Sequence, residues 1–212
     1  MNAAPRRIGS GFWVGLGLAV LTLAVLLVWT RLKDLRPPLP VFGQVADFAL
    51  TNQTGAPVSL DRLRGHVWVA DVIFTRCPLQ CGEMSKRMSE LQAALPAKSP
   101  VKLVSLTMDP EYDTVPVLKR YSEKYEAHPD RWWFLTGSKE QVGNVLTNNL
   151  KLSAMETAPE RRTNQFDLFT HSTLFVVVDQ QARLRTAVES LQPGWKDRIL
   201  DDINRLLREA AP

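Results

Sequence analysis

The chain has 212 residues, with 26 Lys/Arg against 22 Asp/Glu and a formal net charge of +4. Positions 1–43 hold five of the basic residues and one acidic residue, which leaves 21 of each sign in 44–212. The excess charge therefore belongs to the N-terminal stretch, the rest is neutral overall, and the high pI lends no support to nucleic-acid binding. The length suits one domain of ordinary size plus an appendage.

The appendage comes first. After a short tail over residues 1–10, positions 11–30 carry no charge and read as a helix long and apolar enough to span a bilayer. Trp13 and Trp29 stand at its two ends, where interfacial tryptophans belong. A cleaved signal peptide would need a small-residue exit. Val28-Trp29-Thr30-Arg31 is a poor one, so an uncleaved transmembrane anchor is expected. Arg6 and Arg7 before the span, against Arg31, Lys33 and Arg36 after it, leave its orientation undecided by charge. A Pro-rich, extended linker over 31–43 then leads to a domain over 44–212.

Within that domain, residues 48–60 read as a short hairpin around Asn52-Gln53-Thr54-Gly55. A buried strand over 67–74 runs into a helix that ends near Pro96. A second buried strand covers 101–107, and a helix covers 113–126, with Val117, Leu118, Tyr121 and Tyr125 at helical spacing. A short strand over 132–135 and a helix from Ser138 to about 150 follow. The polar stretch 153–169 is irregular and long for a connection. Strands over 174–178 and 184–188 and a terminal helix over 195–208 complete the chain. This order makes an α/β sandwich, a central mixed sheet with flanking helices.

The chemistry concentrates at the two cysteines, Cys77 and Cys81, the only ones in the sequence. A buried strand, then C-P-x-x-C, then a helix is the layout of a thioredoxin-like redox or metal site. Positions i and i+4 share a helix face, so both sulfurs can aim at one point, where the helix N-terminus favours thiolates. Two close thiolates are soft ligands that select Cu(I) or zinc over hard cations. The same sulfurs can also close a disulfide. Of the three histidines, His66 and His128 sit at a strand end and in a polar loop, whereas His171 lies in the loop entering the strand at 174. In a thioredoxin-like sheet that loop faces the cysteine helix, which makes His171 the candidate third ligand. Asp71 interrupts the apolar strand six residues before Cys77. It is either a proton relay for the second cysteine or a carboxylate satisfied by backbone or a basic side chain. Met84 and Met88 fall at core spacing, and Asp109 is expected to cap a strand-end turn.

Taken together, Phe74-Thr75-Arg76-Cys77-Pro78-Leu79-Gln80-Cys81, Thr107-Met108-Asp109-Pro110-Glu111-Tyr112-Asp113-Thr114, Phe134-Leu135-Thr136-Gly137 and Thr170-His171-Ser172-Thr173 resemble the Sco/SenC family over roughly residues 44–209. The resemblance implies a thioredoxin-like domain anchored in the bacterial cytoplasmic membrane and facing the periplasm. It implies copper, Cu+ or Cu2+, held by Cys77, Cys81 and His171. It also implies a metallochaperone role in assembling the copper centre of cytochrome c oxidase. The partners expected are the copper-bearing oxidase subunit, a copper donor, a thioredoxin-like reductase and the membrane. The alternative is a thiol–disulfide oxidoreductase with the Cys77/Cys81 redox pair and Asp71 as catalytic proton relay. Two positions depart from the family pattern: Gly82 stands where proline is common, and Thr170 where aspartate is common.

Overall fold

The computed structural model describes residues 10–34, 37–77, 80–161 and 169–209. The chain divides into two compact units, 1–38 and 39–212. The first contains α1 (Ser10–Asp34), whose segment Gly11–Thr30 has mean hydropathy 2.4 and is long and apolar enough to cross a membrane. Arg36 and the tails 1–9 and 210–212 lie outside the described residues, as do Pro78 and Leu79 of the cysteine motif.

The second unit is built on β1 (Gly43–Gln44), β2 (Ala49–Asn52), β3 (Pro57–Ser59), β4 (Trp68–Ile73), β5 (Lys102–Thr107), β6 (Trp132–Thr136), β9 (Leu174–Val178) and β10 (Arg183–Glu189). These strands form one sheet in the order β1-β10-β9-β4-β5-β6-β2-β3. Strands β4, β5 and β6 are parallel neighbours. Parallel pairing requires crossovers, supplied by α2 (Gln80–Ala94) and α3 (Val115–Lys124). Every residue of β4 is buried, as its near-continuous apolar run demands of a central strand covered on both faces. Strand β9 runs antiparallel to β4, pairing Trp68 with Val178 and Ala70 with Val176. The start of β9 therefore lies at the same end of the sheet as the end of β4. The amphipathic α5 (Trp195–Glu209) buries Trp195, Ile199, Ile203 and Leu206.

This is the expected α/β sandwich, with three local differences. The helix after Ser138 is α4 (Lys139–Asn144), started by a Ser138/Gln141 capping box and continued by a π-helical turn, Val145–Asn149. The stretch expected to be irregular instead pairs β7 (Ala154–Glu156) with β8 (Phe169–His171) as a small separate sheet; residues 162–168 within it lie outside the described residues. Strand β2, paired with β3 as expected, joins the sheet beside β6.

Candidate metal centre

Cys81 lies in the first turn of α2, but Cys77 is itself non-helical and does not share that helix. Cys77 instead closes the turn that follows β4, donating its N–H to Phe74 O at 3.1 Å. A single helical face therefore does not bring the sulfurs together. The turn does, by setting Cys77 in front of the helix N-terminus, where the Cys81 N–H points at Cys77 Sγ from 3.5 Å. That amide is one of the four at a helix start with no intrahelical acceptor.

The third group arrives from β8, whose last residue is His171. The ligand atoms of Cys77, Cys81 and His171 all lie within 4.8 Å of one another. Nε2 of His171 is 3.1 Å from Cys81 Sγ. The other ring nitrogen, Nδ1, is 2.9 Å from Ser172 O, so it carries the proton and Nε2 keeps its lone pair for the sulfurs. Phe74 packs edge-on against the imidazole at 5.9 Å and against Phe169 at 5.1 Å, which fixes the ring plane. Two sulfurs and one imidazole nitrogen converging from three segments form a soft donor set that fits a thiophilic metal.

The electrostatics are uneven. The hydrogen bond to Cys77, and then burial, push the Cys81 thiol well above its ordinary pKa, contrary to the lowering that a helix start would give. Cys81 is fully buried and Cys77 half-buried. Burial alone would lower the His171 pKa; the Cys77 sulfur and the Ser172 carbonyl outweigh it and raise the value.

Asp71 sits beneath this site, fully buried, and burial raises its carboxyl from the ordinary 3.8 to about 7. Ser105, its register neighbour on β5, offsets this in part. Yet neither carboxyl oxygen has a hydrogen-bond partner of normal geometry, and burial governs. No backbone amide or basic side chain meets either oxygen within hydrogen-bond geometry. His66 Nδ1 is engaged with Pro100 O at 2.8 Å, and His128 is exposed in its loop. Met84 and Met88 are fully buried core residues. The expected strand-end turn forms, with the Asp109 carbonyl accepting the N–H of Tyr112 at 3.1 Å and of Asp113 at 2.8 Å, but the Asp109 carboxylate pairs with Arg76 at 2.5 Å instead of capping it.

A family model described as SCO1/SenC matches residues 41–208. The chain belongs to the SCO1/SenC family. The SCO1 protein homologue of Bacillus subtilis (strain 168) is 32% identical over 166 residues, which cover 77% of this chain and 83% of that protein. The solved SCO1/SenC family lipoprotein of Bacillus anthracis (strain Ames) superposes with a TM-score of 0.70 at 30% identity, covering 82% of this chain and 99% of that one. BsSco, a member of the Sco family of cytochrome c oxidase assembly proteins in which a disulfide switch is identified, gives 0.68 at 28% identity over 80% of this chain and 98% of its own. The SCO1/SenC match spans the turn, α2 and β8, the three segments that carry the sulfurs and the imidazole.

Proposed function

We propose that this SCO1/SenC chain is a membrane-anchored copper metallochaperone that assists assembly of the copper centre of cytochrome c oxidase. Copper is its cargo, held by Cys77, Cys81 and His171. The convergence of those three ligand atoms within 4.8 Å is the observation that carries this reading. With copper bound both sulfurs would be thiolates, so loading displaces the Cys81 proton despite its raised pKa. Residues 11–30 serve as the anchor and 31–43 as the linker, with 44–212 outside the cytoplasmic membrane. The partners are a copper donor, the copper-bearing oxidase subunit and a thioredoxin-like reductase that returns an oxidised pair to thiols.

The decisive experiment loads the reduced and the disulfide form of the full chain with equal copper after removal of small thiols. Retention by the reduced form alone is expected, because a disulfide has no anionic sulfur to offer. Equal retention by both forms would show that the metal sits elsewhere.

A second activity draws on the same pair. Cys77 is half-buried and Cys81 fully buried, the division expected of an attacking and a resolving thiol. The Cys77 thiolate would attack a partner disulfide, expelling one partner thiolate and forming a mixed disulfide. Cys81, giving up its proton toward Asp71, would then displace the second partner thiolate. The partner gains two electrons and the Cys77/Cys81 pair becomes the disulfide.

A further inference from the structure

The three groups of the centre are not held equally. Cys81 is fixed by α2 and His171 by β8, whereas Cys77 depends on the turn from Phe74 to Cys77. Thr75 and Arg76 are the middle residues of that turn, and the segment after β5 grips both. Asp113, fully buried, accepts the Thr75 N–H at 3.1 Å on Oδ2 and the Thr75 hydroxyl at 2.5 Å on Oδ1. Its Oδ2 also accepts the Thr107 hydroxyl at 2.5 Å. Thr107 is the last residue of β5 and the register partner of Ile73, the last residue of β4. Beside it, the Arg76 guanidinium pairs with Asp109 and lies 4.2 Å over the Tyr112 ring.

A buried carboxylate is costly unless its oxygens are met by donors. All three donors to Asp113 are supplied by the ends of β4 and β5, and two of them by a single residue that lies two positions before Cys77. We propose that Asp113 is the positioning residue of the centre. It locks Thr75 to the end of β5 and so holds Cys77 Sγ at the spacing that lets both sulfurs and the imidazole face one point. This rests on the copper reading for its purpose. Its effect on the cysteine pair holds with or without a metal.

The test uses the full chain in detergent, as wild type, Asp113→Ala, Asp113→Asn and Thr75→Val. Three quantities are measured: the thermal midpoint, the Cys77/Cys81 dithiol–disulfide equilibrium against reduced and oxidised glutathione, and the thiolate-to-copper absorption band on adding cupric ion. Loss of a hydrogen bond to a charged group should shift the dithiol equilibrium about ten-fold in Asp113→Ala and Thr75→Val. The copper band should move or weaken in the same variants. Asp113→Asn, which keeps an acceptor oxygen for Thr75, should recover most of both. If Asp113→Ala does not fold, Thr75→Val carries the test, since it removes one hydroxyl and leaves the backbone bond. A lowered thermal midpoint with wild-type equilibrium and wild-type band would overturn the proposal, leaving Asp113 as a structural residue only. A shifted equilibrium with no copper band in any protein, wild type included, would sink the copper reading and uphold the positioning role.

Discussion

Sγ of Cys81 lies 3.1 Å from Nε2 of His171, and Nδ1 of the same ring is held at 2.9 Å from Ser172 O. The backbone carbonyl selects the tautomer, and the tautomer aims a lone pair at the sulfurs. His171→Ala should therefore weaken copper binding by at least about 100-fold, since even removing a group that only orients a ligand costs about 10–100-fold. His66→Ala and His128→Ala should leave affinity unchanged. Competition against a cuprous chelator reads this directly, and an unaltered affinity in His171→Ala would remove the imidazole from the site.

Asp71 makes stability depend on pH in an unusual direction. Its folded carboxyl titrates at about 7 and its unfolded one near the ordinary 3.8. Below both values the group is protonated in either state and has no effect. Between them the folded protein holds a proton that the unfolded chain releases, so stability falls as pH rises and the loss is complete above 7. A displacement of that size corresponds to at most about 4 kcal/mol. Asp71→Asn should match wild type near pH 4 and exceed it by a few kcal/mol at pH 8. Urea unfolding at pH 4, 6 and 8 measures the difference. A constant offset at all three would mean that the carboxyl is not perturbed in this way.

Much of the site is legible in the sequence because it is local. The buried run of β4 announces the strand, C-P-x-x-C announces the turn and helix, and His171 stands just before β9. What the sequence leaves out is long-range. Nothing in Thr75, Thr107 and Asp113 tells a reader that their side chains meet, because the bonds cross from one strand end to another. Asp109 looked like a cap because Asp-Pro favours turns; its partner, Arg76, comes from 33 residues away. The polar stretch around 154–171 lacks the alternating apolar pattern of a strand, so the β7–β8 pairing that carries His171 is invisible to periodicity. The shared helical face for the cysteines failed for a different reason, since the i, i+4 rule applies only inside a helix and Cys77 lies ahead of α2.

Gly82, one of the departures from the family pattern, lies one residue after Cys81 in the first turn of α2. A Cβ there would meet the Tyr125 hydroxyl at 3.3 Å, so that oxygen must move by a few tenths of an ångström. Tyr125 is half-buried and its hydroxyl is the far end of the side chain, so the ring can tilt. Replacing glycine by alanine in a helix gains up to about 1 kcal/mol. Gly82→Ala should therefore be neutral to stabilising by about 0.5 kcal/mol in a urea midpoint measurement. A loss above about 1 kcal/mol, relieved in the double variant with Tyr125→Phe, would show that the tyrosine cannot yield.

At the other end of the sheet, Arg185 is buried and fully engaged. Its guanidinium donates to Asp179 at 2.7 Å, to Glu209 at 2.7 Å, to Leu39 O at 2.5 Å and to Pro40 O at 3.1 Å. It thus ties Leu39 and Pro40, at the start of the second compact unit, to β10 and to the end of α5. Removing one member of a buried ion pair costs about 3–5 kcal/mol, because the partner charge is left without compensation. Arg183 also pairs with Asp179, at 2.8 Å, so Arg185→Met should fall at the lower end, about 3 kcal/mol. Lysine should rescue little of it, since one ammonium cannot reproduce the planar fork that reaches four acceptors. Glu209→Gln, at the more exposed corner, should cost less than about 1 kcal/mol. Copper affinity should be unchanged in all three, because Leu184 pairs with Val178 and Val178 with Trp68, at the opposite end of β4 from Cys77. A weakened site in Arg185→Met, with folding intact, would mean that the two ends of the sheet are coupled.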